Sequence, residues 1–156
     1  MKKVDVLLAE YGESHKNKTN KLIHWICVPA ILFAIIGLLW SIPTPETFNQ
    51  FNFPVNFGTL GLLIALFYYK TLSSSLTLGM VFVAVGVTAG NYYLDKLQIP
   101  PLWLISTIIF VIAWIFQFIG HGIEGKKPSF FKDLQFLLIG PLWLLHFIYN
   151  KLNIPF

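Results

Sequence analysis

The sequence predicts an all-α integral membrane protein, a helical bundle of about four spanning helices followed by a C-terminal re-entrant or interfacial helix. Of its 156 residues, 56% are hydrophobic and 12% charged, and a soluble domain would be about 25% charged. The apolar residues gather into long runs, and a bilayer core of about 30 Å needs about 20 helical residues. Prolines and lysines fall mainly between those runs. One domain covering residues 1–156 is the expectation at this length.

Residues 4–13 carry Val4, Leu7, Leu8 and Tyr11 at a spacing that suits a short amphipathic helix lying on a surface. The run 22–42, in which His24 is the strongly polar member, is the first span. Pro29 is expected to bend it and release a backbone carbonyl, and Pro43 and Pro45 stop it. After a proline- and asparagine-rich connection, residues 57–69 form a second span that must borrow from its flanks or cross where the bilayer thins. Residues 76–94 are the third, with Gly86 and Gly90 spaced for close helix approach. Residues 102–120 are the fourth, followed by a polar connection over 125–133. The last apolar segment, 134–149, is interrupted by Gly140-Pro141; it reads as a fifth span, a re-entrant hairpin or an interfacial helix. Tryptophans and tyrosines at segment ends, among them Trp25, Trp40, Tyr69 and Trp103, read as interfacial anchors.

The net charge of +4 comes from lysine alone, eleven residues against seven acids. Compact ammonium charges suit lipid head groups or a fatty-acid carboxylate better than base readout, so no nucleic-acid partner is expected. Lysine placement favours a multi-pass topology with the N-terminus cytoplasmic, in a bacterial inner membrane or the endoplasmic reticulum; Lys2, Lys3, Lys16, Lys18, Lys21, Lys70, Lys126, Lys127 and Lys132 then share that side. The lone Cys27 excludes an intramolecular disulfide, and the first twenty residues lack a signal-peptide pattern.

That topology also brings His15, His24, His121 and Glu124 to the cytoplasmic surface. On a helix, Asn17, Asn20 and His24 fall within about 60° of one another, and Gln117, His121 and Glu124 again share a face. Two such faces meeting at one membrane surface make a metal site. Two histidines and a carboxylate leave positions on a first-row metal such as iron for oxygen and substrate. His24, His121 and Glu124 can form that set, or His15 and His146 can make it richer in histidine. Asn17, Asn20 and Gln117 suit the surrounding layer, where amides orient imidazoles, while Cys27 reads as a packing residue. A histidine-box di-iron enzyme would need about twice as many histidines. No nucleophile elbow, phosphate loop or paired-cysteine motif is present.

Tyr11-xxx-His15-x-Asn17-xx-Asn20-xxx-His24-xx-Cys27-Val28-Pro29, followed by Trp114-xx-Gln117-Phe118-Ile119-Gly120-His121-xx-Glu124-xxx-Pro128 and by Gly140-Pro141-Leu142-Trp143, resembles the Mpo-type 2-hydroxy fatty acid dioxygenases over nearly the whole chain. The resemblance implies iron(II)-dependent α-oxidation, in which a 2-hydroxy fatty acid is shortened by one carbon with molecular oxygen as oxidant. It implies that His15, His24 and His121 take the family's histidine positions, with Glu124 beside the third and His146 as a further ligand. The alternative is a metal-binding or lipid-binding membrane protein without oxygenase activity.

Overall fold

The computed structural model describes residues 2–50, 53–125 and 136–156, all helix, turn and connection. The polar connection expected at 125–133, with Lys126, Lys127 and Lys132, lies outside the described residues except for Gly125. Six α-helices are described: α1 (Lys3–Gly12), α2 (Lys18–Trp40), α3 (Phe57–Leu72), α4 (Ser74–Leu97), α5 (Leu102–Glu124) and α6 (Ile139–Lys151), with a short 3-10 helix at Glu46–Gln50.

Three helices, α2, α4 and α5, are long and apolar enough to cross a membrane. The expected second span, α3, has 16 residues, which reach only about 24 Å at 1.5 Å per residue. Apolar flanks did not extend it, because Ser73 is both the last cap of α3 and the first cap of α4. Its extended backbone reverses the chain, and its hydroxyl accepts from the Leu76 N–H.

Helix α2 begins four residues before its apolar run, since the Asn17 side chain accepts from Thr19 N at 2.8 Å and so caps it. Its helical assignment continues through Pro29. Helices α2 and α5 form the most extensive packing, with Cys27, Ile31 and Ala113 buried between them. Near the far end, fully buried Asn91 of α4 donates to the Phe33 carbonyl of α2 at 3.3 Å. There Gly37 lets α4 and α5 close in: a Cβ would lie 2.1 Å from Ser106 Oγ and 2.5 Å from Asn91 Oδ1. Gly86, by contrast, meets nothing within 4 Å, so the expected Gly86–Gly90 contact is not made; Gly90 instead seats the Phe33 ring.

The last helix narrows the alternatives left open for it. At 13 residues α6 is about 20 Å long and does not reach the length of a span. It is buried along much of its length, packing on α1, α2 and α4, and Ile139, Leu142, Trp143 and Leu145 sit at the centre of the largest apolar cluster. Gly140-Pro141 starts this helix rather than interrupting it, because a first-turn proline forfeits no intrahelical bond. Tyrosine hydroxyls fix the helix in place: Tyr69 donates to the Leu138 carbonyl at 2.8 Å, and Tyr149 to that of Ser75 at 2.9 Å. Tyr69 and Trp40 are therefore buried residues, whereas Trp25 and Trp103 are exposed as expected of anchors. The amphipathic α1 lies against α6, burying Val4, Leu8 and Tyr11.

Candidate metal centre

The antiparallel arrangement brings the start of α2, the end of α5 and the connection after α1 to one end of the bundle, and three histidines meet there. His15 follows α1, His24 lies on α2 and His121 on α5; their relative exposures are 3%, 1% and 8%. Their ring centroids are 4.1 Å apart for 15 and 24, 5.2 Å for 24 and 121, and 5.6 Å for 15 and 121. One ring nitrogen from each lies within 4.8 Å of the other two.

Local bonds set the tautomer of two of these rings. His15 Nδ1 is 2.6 Å from the Tyr11 carbonyl oxygen, and His24 Nδ1 is 2.9 Å from that of Asn20. A carbonyl only accepts, so each Nδ1 carries the proton and each Nε2 carries the lone pair. A backbone carbonyl on the opposite nitrogen is also the usual partner of a metal-bound histidine. The Tyr11 ring stacks on His15 with centroids 4.3 Å apart and planes 11° from parallel, and Trp143 of α6 packs beside both rings, tilted, at 5.1 Å from His15 and 5.2 Å from Tyr11. The donor set of three imidazoles fits a first-row divalent metal, and in a six-coordinate ion it leaves three positions for exogenous ligands.

The remaining expected site residues have other positions. Glu124 falls outside the three-histidine group. Its Oε1 accepts from the Lys16 N–H at 2.8 Å and its Oε2 from Asn17 N at 2.9 Å and Asn20 Nδ2 at 3.1 Å. The carboxylate thus binds the end of α5 to the start of α2, across more than a hundred residues of chain. Asn17 and Asn20 serve this junction rather than touching an imidazole with their amides: Asn20 Nδ2 also reaches the Ser14 carbonyl at 3.0 Å. Gln117 is buried one turn before His121.

His146 also lies outside the three-histidine group. Its ring sits against Phe147 at 4.1 Å, its Nδ1 bonds the Trp143 carbonyl, and burial pushes its pKa below the ordinary histidine value. It lines a cavity of about 400 Å³ between α1 and α6, which His15, Lys16, Lys21 and Trp143 also line. Cys27 is buried against α5 and forms no part of the cluster.

Amphipathic periodicity gave no sign of two contributors. Gly120 is one: a Cβ there would meet Asn20 Oδ1 at 2.4 Å, so only glycine lets Asn20 lie flat on α5. Gly140 is the other, since a Cβ would press on the Tyr11 hydroxyl at 3.1 Å. Both glycines are themselves part of the motifs that carry the family resemblance, which is the one signal the sequence held for them.

Fold and site together define an all-helical protein with membrane-length spans and a buried three-histidine centre at one end of the bundle. The chain belongs to the 2-hydroxy-palmitic acid dioxygenase Mpo1-like family, whose match covers residues 1–152. Among characterised proteins it is similar to the 2-hydroxy-palmitic acid dioxygenase MPO1 of Saccharomyces cerevisiae, 29% identical over 149 residues, which is 94% of this chain and 79% of that relative. No solved structure matches the chain.

Proposed function

We propose that this protein is an iron(II)-dependent dioxygenase of 2-hydroxy fatty acids, in which molecular oxygen is the oxidant, C1 is cleaved from C2 and leaves as carbon dioxide together with one water, and an acid shortened by one carbon is released. The observation that carries the reading is the meeting of His15, His24 and His121 within 4.8 Å in a chain of this family. These three residues would hold the ion through Nε2 of His15 and His24 and one ring nitrogen of His121. Bound iron(II) would supply redox chemistry toward molecular oxygen and open positions for substrate oxygens.

The chain's own residues do the rest. Tyr11 and Asn20 carbonyls keep the rings of His15 and His24 in the tautomer that presents Nε2. Glu124, with Asn17 and Asn20, holds the connection that carries His15 against α5. Tyr11, stacked, and Trp143, tilted, pack on the His15 ring and keep it buried. The acyl chain remains among membrane-facing apolar side chains, and lysine placement puts the centre on the cytoplasmic side.

The test is metal analysis of the purified full-length chain, followed by oxygen uptake with 2-hydroxypalmitate. Stoichiometric iron and loss of one carbon are expected. Iron-loaded protein that turns over no member of a series of 2-hydroxy acids would refute the enzyme. Protein that binds no metal would refute the centre as well.

A further inference from the structure

One cavity of the described structure shares a wall with the histidine cluster, and its other walls have a chemistry the cluster does not need. It lies between α1 and α6, and His15, Lys16, Lys21, Trp143, His146 and Phe147 are among the residues that line it. Its volume of about 400 Å³ is of small-molecule size. Its charged side chains are Lys16, Lys21 and Asp5, a surplus of one positive charge; Asp5 accepts from the Lys2 backbone N–H, and the Phe156 main-chain oxygen, also in the lining, accepts from Lys2 Nζ. The lining therefore favours an anion.

Lys16 is held in place through its own backbone, which donates to Glu124. Lys21 lies three residues before His24 on α2, about one helical turn from the cluster. From His15 the wall continues to Trp143 at 5.1 Å and then to His146 at 6.2 Å between ring centroids. An anion seated between the lysines is thus within a few side chains of both His15 and His146.

His146 has one kind of bond to offer. Its Nδ1 donates to the Trp143 carbonyl, so in the neutral ring, the form that burial favours, Nε2 carries the lone pair. An ionised carboxylate is also acceptor-only and gains nothing from it. A hydroxyl on the carbon beside that carboxylate is a donor.

We propose that this cavity seats the polar end of a 2-hydroxy acid, Lys16 and Lys21 facing the carboxylate and His146 accepting the 2-hydroxyl proton, so that His146 distinguishes a 2-hydroxy acid from an unsubstituted one. The proposal rests on the substrate class inferred above. It makes His146 a specificity-determining residue outside the metal group, and it accounts for a histidine that the cluster does not use.

The test is equilibrium binding to the full-length, metal-loaded chain in lipid nanodiscs, followed by tryptophan fluorescence, for which Trp143 in the cavity wall is the reporter. The ligands are 2-hydroxypalmitate and palmitate. His146→Phe is expected to weaken 2-hydroxypalmitate about tenfold, the loss of one hydrogen bond, and to leave palmitate unchanged. His146→Gln, which retains an acceptor, should recover part of that loss. Lys16→Met combined with Lys21→Met should weaken both acids alike. Metal content and melting temperature are measured on each variant.

Equal loss of both acids in His146→Phe, or unchanged binding in every variant, would overturn the proposal. Loss of metal from His146→Phe would overturn it too, because the residue would then belong to the metal site. Turnover and binding are read separately: a wild-type chain that discriminates the two acids but consumes no oxygen supports the cavity assignment while defeating the dioxygenase reading.

Discussion

Glu124→Ala separates a carboxylate that binds metal from one that organises the metal's ligands. The wild-type carboxylate receives three donors, Lys16 N at 2.8 Å, Asn17 N at 2.9 Å and Asn20 Nδ2 at 3.1 Å. Hydrogen bonds to a charged group contribute about 1.5–3 kcal/mol each when well made. Glu124 is partly exposed, so water recovers much of that on truncation, and a net cost of about 1–3 kcal/mol is expected. The loss falls on the segment that carries His15 to His121, so metal affinity should drop about 10–100-fold without vanishing. Glu124→Gln, with one acceptor oxygen left, should be intermediate. Metal affinity is measured by chelator competition on the full chain, and amide hydrogen exchange follows residues 14–20. Faster exchange there, together with the graded affinity loss, is the expected result. Unchanged exchange with total loss of metal in both variants would refute the clamp and make the carboxylate a ligand. Unchanged affinity and exchange in Glu124→Ala would refute any role at the site.

Alanine at His24 or His121 should abolish metal binding while membrane insertion persists, checked by metal analysis of the membrane-extracted protein. Gly120→Ala drives a Cβ to 2.4 Å from Asn20 Oδ1; overpacking of this kind costs about 1–3 kcal/mol, seen as a lower melting temperature together with weaker metal retention. Gly122→Ala, with nothing within 4 Å, is the matched control, and should be neutral or stabilising by up to about 1 kcal/mol. Gly37→Ala should destabilise through its 2.1 Å approach to Ser106 Oγ, measured as thermal stability, while Gly86→Ala should not. The His146 ring should titrate below the ordinary histidine range by NMR, because burial disfavours its charged form. With its folded pKa depressed, its contribution to stability is present above the unfolded pKa and is lost as pH falls through the folded one.

Much of the bundle could be read from spacing. The run containing Trp40 and the run from 102 to 120 are apolar over membrane length, and burial of apolar surface makes such runs helices whatever their neighbours do. The boundaries were less legible, since caps decide them: Asn17 starts α2 ahead of its apolar stretch, and Ser73 alone turns α3 into α4. Residues 134–149 were ambiguous for the same reason. Apolarity says that a segment is buried and leaves open whether lipid or protein does the burying, and for α6 the answer is α1, α2 and α4.

By itself, the sequence determined an all-helical chain of the Mpo1-like family with polar, histidine-bearing faces at the ends of two distant apolar runs. Helical periodicity and hydrophobic length are local properties, so residue order suffices to express them. Only the tertiary structure decided which polar residues meet. It joined His15 to His24 and His121, turned Glu124 toward the backbone of Lys16 and Asn17, and set His146 in the lining of the same cavity as the two lysines. Those outcomes depend on how α1 and α6 dock against the bundle, a matter of complementary shape between segments far apart in the chain, which no periodicity along it records.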